Sequence, residues 1–79
     1  MSKRLSINQK LEQMIETIGI NAGKVWSVLD ANGRQNIKEV KDATKLTYNN
    51  LYAALGWLAR EGKITLETEK KETYISLVL

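Results

Sequence analysis

Apolar residues recur at helical spacing through most of this chain and at strand spacing only near its end. The clearest segment is Leu46 to Ile64, LTYNNLYAALGWLAREGKI, where Leu51, Leu55 and Leu58 stand at i, i+4 and i+7 with Ala54 beside them. That spacing places them on one face of an amphipathic helix. Thr47 offers a capping hydroxyl to its first turn, and Glu61-Gly62 offers the left-handed residue on which helices end. Upstream, Leu11, Ile15, Ile18, Ala22, Val25 and Leu29 follow one another at alternating steps of four and three, with Met14 and Trp26 at the edges of the stripe. The phase holds across Gly19, which predicts one long or gently kinked helix from about Ile7 to Ala31, opened by a capping box of Ser6 with Gln9. Gly19 and Gly23 leave open a corner there, with Asn21 capping a second segment.

Asn32-Gly33 ends the first helix, and Arg34-Gln35-Asn36 makes a connector with room for one short bridging strand. Asn36 with Glu39 caps a second, short helix whose apolar residues are Ile37, Val40 and Ala43. Thr44-Lys45-Leu46 turns the chain into the third helix, completing a helix-turn-helix. After Gly62 the period becomes two: Ile64 and Leu66 lie on one side of a first strand, and Ile75, Leu77 and Leu79 on one side of a second. The polar tip Glu69-Lys70-Lys71-Glu72 joins them. The pattern predicts one mainly α domain over residues 1–79, a three-helix core closed by a two-stranded hairpin, with a long helix at about 7–31, a helix-turn-helix at about 36–61 and a hairpin at about 64–79.

This order resembles a winged helix-turn-helix domain over nearly the whole chain. Bacterial winged-helix repressors end their recognition helix with apolar-x-x-x-Leu-x-x-Leu-x-x-x-Gly-x-Ile, and Leu51, Leu55, Leu58, Gly62 and Ile64 fill those places. NAGKVWSVLDANG, Asn21 to Gly33, followed by LYAALGWLAREGKI, Leu51 to Ile64, also resembles a family of small stand-alone bacterial winged-helix domains of unassigned function. The first resemblance implies DNA binding and transcriptional regulation. In the repressors, the positions of Tyr48, Asn49, Tyr52, Ala53, Gly56 and Trp57 face the major groove and usually include Arg, Ser or Thr. Ala53, Gly56 and Trp57 depart from that pattern, so no arginine stands mid-helix to grip a guanine.

Composition narrows the chemistry. At 79 residues the chain holds a small core, one that buries only about 60% of the surface its unfolded form exposes. Cys and His are both absent, which removes disulfides, the usual zinc ligands and the commonest general base. Neither a Gly-rich phosphate loop nor a nucleophile–base pair occurs, and Glu12 and Glu16 read as a solvated helix face. The expectation is a protein that is not an enzyme and binds no metal or cofactor. No apolar run approaches the roughly 20 residues of a membrane span, and residues 1–10 lack the apolar centre of a signal peptide, so the chain reads as soluble and cytoplasmic. Twelve Lys and Arg against nine Asp and Glu give +3, a charge that permits a polyanionic partner without demanding one.

The candidate residues fall into two sets. For double-stranded DNA, Tyr48, Asn49, Asn50 and Tyr52 would meet bases, and Asn can pair bidentately with adenine. Lys38 and Lys45, in register with Lys41 on the second helix, and Lys70 and Lys71 at the hairpin tip would meet phosphates. Interleaved Glu39 and Asp42, and flanking Glu69 and Glu72, leave a solvated mixed-charge surface as the alternative. For protein contacts, Ala53, Gly56 and Trp57 make an aromatic anchor beside small residues, unless Trp57 folds back on the base of the hairpin. The long helix raises a second possibility, because about 25 residues at 1.5 Å each span about 37 Å, more than a small core covers. Its half from Leu11 through Ile15 to Ile18 should overhang and pair with an identical chain, or pack back if Gly19 is a corner. The leading reading is a DNA-binding homodimer that regulates transcription; its alternative is a protein-interaction module on the same scaffold, contacting partners through the Trp57 surface.

Overall fold

The computed structural model describes residues 7–78. Its elements in order are α1 (Ile7–Asn32), β1 (Gln35–Asn36), α2 (Ile37–Thr44), α3 (Tyr48–Arg60), β2 (Ile64–Glu69) and β3 (Glu72–Leu77). The cap expected at Ser6 and the strand position expected for Leu79 lie outside the described residues. Helix α1 runs unbroken through Gly19, so Asn21 sits within the helix, buried, and caps nothing.

Local chemistry sets the boundaries. Gly33 follows α1 at φ +78, and its amide donates to the Leu29 carbonyl at 2.8 Å. A left-handed residue there carries no Cβ penalty when it is glycine. Asn36 opens α2 with a full capping box: its Oδ1 accepts from the Glu39 amide at 2.8 Å, and the Asn36 amide donates to Glu39 Oε1 at 3.1 Å. Two otherwise orphaned donors are satisfied at once. Thr47 Oγ1 accepts from the Asn50 amide at 3.2 Å and starts α3. Gly62 stops it at φ +69.

The core gathers one face from each element: Ala22, Val25 and Leu29 of α1, Val40 of α2, Leu46 in the turn, Leu51, Ala54, Leu55 and Leu58 of α3, Ile64 of β2 and Ile75 of β3. Ala43, expected on the inner face of α2, is exposed; the inward strip runs instead through Ile37, Val40 and Thr44 at i, i+3 and i+7, so Thr44 takes the second inward turn. The sheet has the order β1-β3-β2 and is antiparallel throughout. The hairpin wing is thus joined to the bridging strand, making three strands rather than two.

Pairing register fixes the two faces of the wing. Leu66 opposes Ile75 and Ile64 opposes Leu77, and since Ile75 is buried, this set faces the helices. Glu67 opposes Tyr74 and Glu69 opposes Glu72, so these point to the other side. Arg34 joins that outer face, 3.4 Å from Glu69 Oε2 and 4.1 Å from the centre of the Tyr74 ring. The Tyr74 hydroxyl donates to Glu72 Oε2 at 3.0 Å, and that carboxylate holds the phenol above its ordinary pKa.

Candidate nucleic-acid and protein interfaces

Helix α3 presents four strips along its length, because each residue turns about 100° from the last. Leu51, Ala54, Leu55 and Leu58 are buried. Opposite them, Asn49, Gly56 and Arg60 form an exposed crest. Tyr48 and Tyr52, at i and i+4, lie on the flank toward the wing. Asn50, Ala53 and Trp57, at i, i+3 and i+7, lie on the flank toward α1.

The candidates for DNA contact therefore divide. Tyr48 and Tyr52 meet Lys38 and Lys71 around one shallow groove of about 400 Å³ between α2, α3 and the wing tip. The tyrosine rings stack at 6.2 Å between centres and 23° between planes. Asn49 stands on the crest. Asn50 does not join the others: its position one flank away puts it against α1, with Lys10, Gln13, Met14, Thr17 and Ile18. Lys45 is the left-handed cap of α2, its amide bonded to the Lys41 carbonyl at 2.8 Å. Lys70 and Lys71 form the two-residue wing turn at φ 49 and 70.

The glutamates interleaved with these lysines each have a partner. Glu39 is engaged in the α2 cap, Glu69 is paired with Arg34, and Glu72 accepts from Tyr74 on the outer wing face. Among the described residues, Lys38, Lys41, Lys45, Lys70 and Lys71 take part in no ion pair. Helix α3 itself contributes one charge, Arg60 in its last turn. Cations thus flank a neutral aromatic helix instead of running across it.

The candidates for protein contact divide as well. Ala53 and Trp57 share the α1 flank but lie one turn apart, so each meets a different stretch of α1. Ala53 lines the corner with Met14 and Ile18. Trp57 lies against Gly19, Gly23 and Trp26, with Lys63 at the foot of the wing. Gly56 turns outward between the flanks, so the three make no single pocket. Leu11 and Ile15 on the overhanging half of α1 are 51% and 52% exposed, and Ile18 is half-buried where the overhang meets α3. Spacing alone did not single out Met14, 59% exposed in the same stretch; its place at the stripe edge was the available signal.

Among the described residues, no group of three or more His, Cys, Asp or Glu is placed to hold a metal ion. No helix among them is long and apolar enough to cross a membrane. The chain is 36% identical over 70 residues to the uncharacterized protein MJ1608 of Methanocaldococcus jannaschii, a match covering 85% of this chain and 99% of that one. Its fold is similar to the solution NMR structure of protein BT2368 from Bacteroides thetaiotaomicron, with a TM-score of 0.73 and 34% identity over 78% of this chain and 76% of that one. The fold, the capped helix-turn-helix and these likenesses converge with a family model matching residues 11–77, and the chain belongs to that family, the winged helix-turn-helix domain (DUF2582).

Proposed function

We propose that this domain is an interaction module on a winged helix-turn-helix scaffold and that its first partner is a second copy of itself. One observation carries the reading: every aromatic ring of the chain lies outside the core, with Trp26, Tyr48, Tyr52 and Trp57 exposed and Tyr74 half-buried. Aromatic side chains dominate the energetics of cores and of interfaces, and a core made without them leaves the interface role. The overhang supports self-association, since Leu11 and Ile15 continue outside the core the stripe that Ala22, Val25 and Leu29 follow within it. A two-fold contact between two such overhangs covers both. Sedimentation of the full chain is expected to show a dimer, and replacing Leu11 and Ile15 with Glu is expected to give a folded monomer. A parent that is monomeric at high concentration removes this reading.

Duplex DNA is the second reading, favoured by lysines that take part in no ion pair among the described residues while Glu69 is paired with Arg34 and Glu72 is bonded to Tyr74. Lys38, Lys45, Lys70 and Lys71 would hold phosphates, with Tyr48, Asn49 and Tyr52 nearest the bases, and regulation of transcription would follow. Four phosphate contacts predict a slope of log affinity on log salt of about −3 to −4. Fluorescence titrations detecting no duplex binding at low salt and micromolar protein would leave the interaction module alone.

A further inference from the structure

We infer that the groove between α3 and the wing is a nucleotide site, taking one unpaired base against Tyr52 and its phosphate between Lys38 and Lys71. The chemical class is a planar ring carrying an anion, whether a free mononucleotide or one unstacked residue of a strand. In its strand form the inference rests on the nucleic-acid reading of this groove, and it is independent of self-association.

The rings themselves make the argument. A B-form duplex offers a protein its base edges and phosphates and keeps its base faces covered. Two large rings held side by side on a helix gain little from edges. Unpaired bases, by contrast, stack on aromatic side chains, and each stack contributes substantially to binding of single strands. Tyr48 already has the Lys41 ammonium 4.9 Å from its ring centre. Tyr52, 56% exposed, has only Tyr48 as a ring partner among the described residues and keeps room for a planar ligand.

The surroundings match such a ligand in size and charge. The groove's volume of about 400 Å³ lies within the roughly 300–1,000 Å³ of small-molecule sites. Ile37 supplies an apolar wall and Thr73 a hydroxyl. Lys38 and Lys71 are the cations on its rim. Glu72 also borders it, but its carboxylate is bonded to Tyr74 on the far face of the wing.

The test titrates the full chain with adenosine monophosphate, with a short single-stranded DNA, and with a blunt duplex of the same sequence, following the aromatic NMR signals of Tyr48 and Tyr52. The single strand is expected to bind in preference to the duplex and to shift Tyr52. Tyr52→Ala is expected to weaken that binding about 5- to 150-fold, whereas Tyr52→Phe retains it. Binding of the mononucleotide in competition with the strand supports a free nucleotide as ligand; binding of the strand alone supports a strand. Duplex binding that is as strong as single-strand binding and indifferent to Tyr52→Ala overturns the inference while leaving the duplex reading intact. Binding of none of the three overturns both. Because Tyr52 lies at the surface, circular dichroism of the variant is expected to match the parent.

Discussion

The Lys41 ammonium stands 4.9 Å from the centre of the Tyr48 ring, which joins the last turn of α2 to the first turn of α3. Cation–π contacts at exposed sites contribute about 0.5–1 kcal/mol. The contact matters more for position than for stability. It holds Lys41 on the aromatic flank of α3 and leaves Lys38 of α2 and Lys45 at its cap for an anion.

Leu55 tests the packing of α3. Only 3% of it is exposed, in the middle of the helix's buried strip. Leu55→Ala is expected to remove about 2–5 kcal/mol, a large part of the about 5–15 kcal/mol that holds a domain together. Chemical denaturation measures the loss directly. An unchanged midpoint would contradict the burial.

Asn36 tests the capping box. Asn36→Ala deletes the acceptor that meets the Glu39 amide at 2.8 Å and is expected to destabilise the domain by about 0.5–2 kcal/mol. Asn36→Asp supplies an equivalent oxygen and is expected to stay near the parent. Equal losses in both variants would mean that the amide, not the cap, carries the effect.

Lys70 and Lys71 separate stability from binding. A two-residue turn with both central residues at positive φ suits Asn-Gly, and a left-handed residue with a Cβ costs about 1–2 kcal/mol. The double change Lys70→Asn with Lys71→Gly is therefore expected to raise the thermal midpoint. If the wing holds phosphates, the same change flattens the salt dependence of duplex binding by up to about two units. A lowered midpoint would count against the left-handed turn.

Tyr74 gives a pH signature. Its hydroxyl donates to Glu72, and ionisation would set a phenolate beside that carboxylate, so its folded pKa is raised; the nearby Arg34 opposes part of this. The folded form holds the proton more tightly than the unfolded one. The resulting stabilisation is complete below the ordinary tyrosine value of about 10 and is lost as pH rises through the folded value. Absorbance titration is expected to show one tyrosine ionising late, and Glu72→Gln to return it toward the ordinary value. A parent whose late step survives that substitution would place the cause elsewhere.

Much of the fold is legible in the residues because its signals are local. The four-three steps of α1, the Asn36–Glu39 pair, Thr47 before α3 and the glycines at 33 and 62 each act on their own few residues. The change to a period of two after Gly62 likewise marks the wing. The interfaces are less legible, because a helical wheel gives each residue's angle to its own buried strip and not the identity of the neighbour on either side. Asn50 and Trp57 thus border α1 while staying exposed, apart from the groove that Tyr48 and Tyr52 line. Lys41 reaches Tyr48 only once the turn through Lys45 has set the angle between two helices. The outward turn of Glu69 and Glu72 was within reach, since both alternate with the inward residues of the wing. The pairing of Glu69 with Arg34 was not, because it depends on β1 joining the sheet.

The strand order places β3, which follows every other described element in the chain, between β1 and β2. During synthesis all three helices leave the ribosome before the strand that can seal them arrives. Ile75 must bridge partners on both sides, pairing with Gln35 near the middle of the chain and with Leu66 on the neighbouring strand. Closing the longer of those loops is entropically slow and draws on contacts distant in sequence. Until then the faces of α1 and α2 that β3 meets lack part of their cover, and the nascent domain offers apolar surface to whatever is nearby. For a winged helix built this way, β3 is the latch, and the domain is a folded whole only once that strand is in place.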